Sequence, residues 1–264
     1  MSHWTDLFKE HPELFLDALD ERVAQAGIEV DFLLKCLHKH RFKTQSVLDL
    51  NCGIGRHSIE LGKRGITVMG TDLSLHYINV AKKRAKEQRV EKIVRFKVAD
   101  MRRIASSLRG QRFDGIINLF TSFGYYDDDT NDDILRQCAS LVRPKGFFAL
   151  EIMNRDWLVR TFQPRGFTRY KGLIRLEDRK FNVETSRVQA TWTFLKQQSE
   201  KQFILEKQVT IDDRLWSLHE LAETFRKNGW RFNAAYPGFG SQDKNVSLAE
   251  AHRLLFIAKR SDTH

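Results

Sequence analysis

The amino-acid sequence predicts an α/β protein: a mostly parallel sheet, interrupted late in the chain by an inserted antiparallel β-meander. Three observations carry this. Between residues 46 and 152, short apolar runs alternate with helical patterns, which is the grammar of βαβ units. The first of those runs leads directly into a glycine-containing turn, Asn51-Cys-Gly-Ile-Gly55. After Asn154 the helical period disappears, and period-2 alternation takes over until about Ile211.

Residues 1–40 read as helical, with Leu14, Phe15, Ala18 and Leu19 on one face and Val30, Leu33, Leu34 and Leu37 on another. Ser46 to Leu50 form the first strand. A helix through Ile59 and Leu61 follows and is closed by Gly65. The second strand, Ile66 to Gly70, runs to Thr71-Asp72, and Ser74 suits the N-cap of the next helix. Val94 to Val98 ends at Asp100, Phe113 to Leu119 is the fourth strand, and Thr130 to Leu141 is a helix ended by Pro144-Lys145-Gly146. Phe147 to Ile152 completes the series. Three strands are expected between Phe167 and Ile211, with Phe203, Leu205, Val209 and Ile211 sharing one face of the last. Leu218 to Phe225 is a helix stopped at Asn228-Gly229, and Arg231–Pro237 and Arg253–Lys259 are two final strands. The chain thus divides into an N-terminal helical cap (1–40), an α/β core (41–154), a β insertion (155–216) serving as substrate cap or dimer surface, and a return to the core (217–264).

The composition is that of a soluble globular chain: 264 residues, 41% hydrophobic and 30% charged. No apolar run approaches the roughly 18–20 residues that span a bilayer, and Met1 to Asp20 lacks the pattern of a signal peptide. Cys36, Cys52 and Cys138 are too few and too scattered for a disulfide framework or a zinc site. A cytoplasmic enzyme without membrane contact is the expectation. The net charge of +10 invites a nucleic-acid reading, but residues 82–112 hold twelve bases against three acids, while residues 1–40 hold four bases against eight acids.

A strand, a Gly-x-Gly turn and a helix make a generic nucleotide site, because the turn admits close backbone approach and the helix start offers free N–H groups. Asp72 ends the second strand, where a carboxylate can accept both hydroxyls of a ribose. Asp100 and Met101 end the third, suited to the edge of an adenine. Asn118 to Phe123 end the fourth. Open α/β sheets bind ligands at such strand ends. The dinucleotide fingerprint wants a third glycine where this chain has Ser58. Asp49, inside the first strand, would repel a pyrophosphate at a cost on the order of a few kcal/mol. A ligand carrying an ammonium and a sulfonium reverses that sign, so S-adenosylmethionine is favoured over NAD.

The segments VLDLNCGIGRHS, GTDLS, VADM, INLFTSFGYY and LVRPKGFFALEIMNRDW resemble, in order and spacing, the class I S-adenosylmethionine-dependent methyltransferases, and most of all those with a β-rich insertion after the fifth strand. The resemblance implies a Rossmann-like, seven-stranded sheet with its last strand antiparallel. It implies that Asp49, Asn51, Gly53 and Gly55 hold the methionine moiety, Asp72 and Leu73 the ribose, and Asp100 and Met101 the adenine. Asn118 and Phe120 would line the methyl side. Asn51 stands where such proteins usually have glycine, and asparagine tolerates the left-handed backbone the turn needs.

Displacement at a sulfonium needs alignment more than acid–base help. Where a base is required, Tyr125 is the nearest candidate; Ser122, Tyr126 and Arg165 are candidate acceptor contacts. No metal is assigned, since Asp127-Asp-Asp129 with Asp132-Asp133 reads as the dipole-matched start of a helix. Trp4 and Phe8 suit either a lid or simple packing, and Trp192, Phe194 and Phe203 either meander core or a substrate cage. The leading function is methyl transfer to an N or O nucleophile of a small molecule. An RNA methyltransferase using the basic surface and a non-catalytic cofactor-binding module are the alternatives, in a monomer or a homodimer formed through the insertion.

Overall fold

The computed structural model describes residues 4–239 and 246–261. After a short π-helical turn, Asp6–Glu10, come helices α1 (Glu13–Asp20) and α2 (Ala26–Lys39). The core then alternates: β1 (Ser46–Leu50), α3 (Arg56–Lys63), β2 (Thr67–Asp72), α4 (Leu75–Glu87), β3 (Val94–Val98), α5 (Ile104–Ser107), β4 (Phe113–Asn118), α6 (Asp128–Leu141) and β5 (Val142–Met153). Helix α7 (Arg155–Thr161) leads into β6 (Arg165–Tyr170), β7 (Leu173–Asn182), β8 (Arg187–Ser199) and β9 (Gln202–Arg214). Helix α8 (Leu218–Lys227), β10 (Trp230–Pro237) and β11 (Arg253–Arg260) close the core.

Seven strands form one sheet in the order β10-β11-β5-β4-β1-β2-β3. β11 runs antiparallel to both β5 and β10, and the remaining pairs are parallel. Both faces are covered, as a parallel sheet requires. On one side α2, α3 and α4 bury Val30, Leu33, Ile59, Ile78 and Ala81; on the other α6 and α8 bury Ile134, Leu135, Leu221 and Phe225. Local signals place the helix starts. Ser74 accepts the Tyr77 N–H at the start of α4, and Ser217 with Glu220 forms a reciprocal capping box at α8. Asp127 caps α6 by accepting the Thr130 N–H, so the aspartate run does begin a helix.

The insertion differs from its sequence reading in two respects. It has four antiparallel strands rather than three, ordered β6-β7-β8-β9. β6 is short and carries Arg165 and Arg169 on its exposed face, so it lacks an apolar stripe to announce it. Second, Phe203 and Leu205 do not share the face of Val209 and Ile211. The β8–β9 register slips between Phe194↔Lys207 and Leu195↔Leu205, leaving Glu206 as a bulge. One extra residue reverses the alternation. Leu205 is therefore 64% exposed, while Val209 and Ile211 are buried.

The inward face of this second sheet packs against the N-terminal segment. Trp4, Leu7 and Leu14 form one cluster with Ala190, Trp192, Phe194, Val209 and Ile211. This layer lies over the C-terminal ends of β1 to β4, and a cavity remains between the two. The basic stretch falls on α4, on β3 and on the turn and helix that follow; β3 is the outer strand of the sheet. No helix among the described residues is long and apolar enough to cross a membrane.

Candidate functional site

The cavity measures about 650 Å³, within the usual range of ligand pockets. Its floor is the set of turns that leave β1, β2, β3 and β4. After β1 the backbone turns through Asn51 at φ +60°, and the Asn51 amide donates to the Ser122 carbonyl at 2.9 Å and to Met101 Sδ at 3.1 Å. One side chain thus ties three strand ends together.

Asp72 performs a similar task between β1 and β2. Its Oδ2 accepts the Gly53 N–H and its Oδ1 the Ser74 N–H, both at 2.9 Å. Burial pushes the Asp72 carboxyl up to about 6 against the pull of those donors. Asp49, almost fully buried, accepts the Ser58 hydroxyl at 2.6 Å. Burial raises it to about 7; the Ser58 hydrogen bond and Arg56 oppose the shift, and Asp72 adds to it. Two buried carboxyls with raised values and no paired cation form a surface that rewards a positively charged ligand.

The loop after β4 is strained where it meets the cavity. Phe120 and Thr121 take consecutive left-handed conformations, φ +67° and +57°, which non-glycine residues rarely adopt. Glu151 on β5 holds them there: its Oε2 accepts the Phe120 N–H at 2.8 Å and its carbonyl the Thr121 N–H at 3.0 Å. Arg253 on β11 pairs with Glu151 at 3.2 Å. Three guanidiniums, from Arg22, Arg56 and Arg253, lie 4.6–5.3 Å from the Phe120 ring centre. Glu29 neutralises part of this charge through an ion pair with Arg56 and a 2.7 Å contact with His57. Burial, reinforced by Arg56, drives His57 down to about 4. It is therefore a neutral partner that orients Glu29, not a base.

Most of the residues singled out by motif line this cavity: Asp49, Asn51, Gly53, Asp72 and Leu73 from the first two strand ends; Asp100, Met101, Phe120, Ser122, Tyr125 and Tyr126 from the others. Three do not. Gly55 caps α3 at φ +75°, facing inward, where a Cβ would come within 2.7 Å of Phe96. Asn118 is fully buried below the floor and donates to the Leu50 carbonyl at 3.0 Å. Arg165 is exposed on β6, outside the cavity lining. Asp100 lines the cavity, but Arg102 grips its carboxylate at 2.6–3.1 Å; this outweighs burial and holds the carboxyl below its usual range. Tyr125 also lines it. Burial first, then Asp213, pushes its phenol well above 10, so Tyr125 meets a ligand as a neutral hydroxyl.

The roof joins the lid and cage candidates Trp4, Phe8 and Trp192 to residues that the sequence did not single out for the site, namely Phe15, Arg175, Glu177, Arg179 and Asp213. Trp4, Phe8 and Phe15 descend from the N-terminal segment, and Trp192 rises from β8. The Trp4 and Tyr125 rings lie 4.1 Å apart between centres. On β7, Glu177 is shared by Arg175 and Arg179, each at 2.9 Å, and Arg175 also covers the Trp192 ring at 4.2 Å. Asp213 on β9 faces the same space. The available signal was polarity out of pattern: Glu177 and Asp213 occupy inward positions of alternating strands that are otherwise apolar or paired.

Comparison with known proteins agrees with this architecture. Residues 47–146 match the family model described as a methyltransferase domain. A glycine/sarcosine N-methyltransferase of Parasynechococcus marenigrum is 29% identical over 155 residues, 57% of this chain and 53% of that one. A ubiquinone biosynthesis O-methyltransferase of Coxiella burnetii is 31% identical over 115 residues, 44% and 46%. The chain spans about half the length of these curated relatives. Among solved structures, an S-adenosylmethionine-dependent methyltransferase from Clostridium acetobutylicum superposes with a TM-score of 0.73 at 15% identity, covering 89% of this chain and 91% of that one. DesVI of Streptomyces venezuelae gives 0.70 at 18%, covering 95% and 98%. The fold is common to all of these structures.

Proposed function

This chain carries a class I S-adenosylmethionine-dependent methyltransferase domain, and from that premise we propose that it transfers a methyl group to an N or O nucleophile of a small molecule. The observation that supports this best is one continuous cavity that joins the motif-bearing strand ends to a separate aromatic roof. One end suits the cofactor, and the space beyond Phe120 and Tyr125 suits an acceptor. The curated relatives, one an N- and the other an O-methyltransferase, agree with either nucleophile.

The residues present fit the cofactor. Asp72 uses one lone pair of each oxygen on backbone N–H groups and keeps the others for ribose hydroxyls. Asp49 and Asp72 reward the cationic end of the molecule. Two enclosed polar atoms in the cavity wall, Arg56 Nη2 and Thr121 Oγ1, have no hydrogen-bond partner among the described residues, as expected for groups awaiting a carboxylate. When bound, the cofactor supplies a methyl group on a positively charged sulfur that leaves readily. The protein then has to orient the nucleophile and exclude water. Trp4, Phe8 and Tyr125 exclude water, and Ser122, Tyr126 and the Tyr125 hydroxyl offer contacts to orient an acceptor.

RNA as acceptor would draw on the basic stretch, which lies at the β3 edge of the sheet, while the roof over the cavity is aromatic, with Glu177 and Asp213 set against Arg175 and Arg179. The small-molecule reading therefore leads. The test is calorimetric titration with S-adenosylmethionine followed by a mass-spectrometric screen of small amines, phenols and carboxylates for methylated product. Saturable binding and turnover on such a compound are the expected results; absence of binding by folded protein overturns the reading.

A further inference from the structure

Asp213 is the least explained charge in the cavity. On β9 it follows Val209 and Ile211 on the inward face and lies opposite Val188 of β8. Its Oδ1 is enclosed and has no hydrogen-bond partner among the described residues. The neighbouring cations are already engaged. Arg187 bonds to Asp212 at 2.7 Å and to the Tyr126 carbonyl at 3.1 Å, while Arg175 and Arg179 share Glu177. The Trp4 indole N–H approaches the same stretch and reaches the Asp212 carbonyl at 3.3 Å. Trp4 and Tyr125 both act on this carboxyl; their rings stack at 4.1 Å, and Trp4 meets Trp192 edge-on at 5.9 Å.

A carboxylate in such a place, without a cation of its own, is costly unless a ligand brings the cation. Aromatic walls around it favour an ammonium further. We infer that the methyl acceptor is an amine, and that Asp213 holds its ammonium form and receives the nitrogen's proton during transfer. This inference rests on the methyltransferase reading. Tyr125 lines the same cavity as Asp213 and Asp72 and senses the charge of both.

The step balances without another reactant. The deprotonated nitrogen's lone pair forms the new N–C bond, and the C–S bond breaks with its pair left on sulfur as a neutral thioether. The proton shed by nitrogen passes to the Asp213 carboxylate and from there to solvent. Burial, reinforced by Asp212 and opposed by Arg187 and Trp4, pushes the Asp213 carboxyl up to about 8. It can thus exchange a proton with an amine near neutral pH.

The test uses the full chain saturated with S-adenosylhomocysteine and follows tryptophan fluorescence while n-butylammonium chloride or n-butanol is added. Wild type should bind butylammonium saturably and at least tenfold more tightly than butanol. Asp213→Asn should lose at least tenfold in butylammonium affinity with S-adenosylhomocysteine affinity unchanged, and Asp213→Glu should recover part of it. Equal binding of butanol, or an Asp213→Asn protein that binds butylammonium like wild type, overturns the inference. If Asp213→Asn does not fold, wild type alone decides: butylammonium affinity should fall as pH drops from about 8.5 to 6, and a flat profile is contrary. Asp49, Asp72, Tyr125, Arg175, Glu177 and Arg179 line the same cavity, and Asp212 and Arg187 act on Asp213 from its own sheet, so the profile is taken with the cofactor end filled. The butylammonium and butanol titrations are repeated without S-adenosylhomocysteine, so that its failure to bind would count against the methyltransferase reading alone.

Discussion

The floor and the roof of the cavity solve the same problem, holding polar groups away from water, in different ways. The floor uses backbone. Asp72, Asn51 and Glu151 each bind main-chain groups from neighbouring strand ends, so the turns hold one another in place. The roof relies mainly on side chains, with Glu177 between two arginines, Arg175 over Trp192, and Asp213 with an unpartnered oxygen. A backbone-built surface is tied to strand geometry and suits a ligand that does not vary. A surface of exchangeable side chains on a twisted sheet can be retuned for an acceptor one residue at a time.

This contrast is open to attack at several points. The largest effect is expected at Glu151→Ala, which frees the Phe120 N–H and strands Arg253 while leaving the backbone bond to Thr121 in place; stability should fall by about 3 kcal/mol in urea melts. A loss below about 1 kcal/mol would mean the strained loop needs no such clamp. Asp72→Ala comes next: S-adenosylmethionine affinity should drop at least tenfold, about 1.4 kcal/mol, while butylammonium binding at the roof stays near wild type. Equal losses at both ends would erase the distinction between floor and roof. On the roof, Glu177→Gln leaves two guanidiniums uncompensated and should shift the acceptor KM several-fold with cofactor affinity unchanged, as steady-state kinetics would reveal.

The floor was legible in the sequence because its chemistry is local. A glycine turn after one strand and an aspartate at the end of the next place their groups at the same sheet edge in any parallel α/β fold. Asn51 at positive φ follows from its residue type. The roof was less legible. Arg165 looked like an acceptor contact because it led into the insertion, yet the pleat turns it outward and brings Arg175 and Arg179 inward from the next strand. The bulge at Glu206 reversed the expected face of Leu205, and no local pattern announces a register slip. Gly55 and Asn118 sit within their motifs but serve packing and a buried hydrogen bond beneath the floor. Spacing along a strand tells which residues share a face, but not which face meets the ligand.

A smaller effect is expected from Asp49→Asn, and its sign is fixed. In the folded chain the Asp49 carboxyl sits at about 7, above its ordinary value near 4, so the native state favours its protonated form. Its contribution is fully present at low pH and is lost as pH rises from about 4 through 7. Asn does not titrate. The stability of Asp49→Asn relative to wild type should therefore increase by at least about 1 kcal/mol across that window. A constant difference in paired thermal melts would show that Asp49 is not held in its protonated form.

The same carboxyls allow the most direct test of the central claim, that the floor is built to take a cationic cofactor. Titration calorimetry with S-adenosylmethionine near pH 7, repeated in buffers of different ionisation enthalpy, measures both affinity and protons exchanged. Ionisation of Asp49 and Asp72 against an incoming ammonium and sulfonium should release protons, so one-site binding with a buffer-dependent heat is the predicted result. Folded protein that gives no binding heat, or that binds with no proton released, would contradict the account.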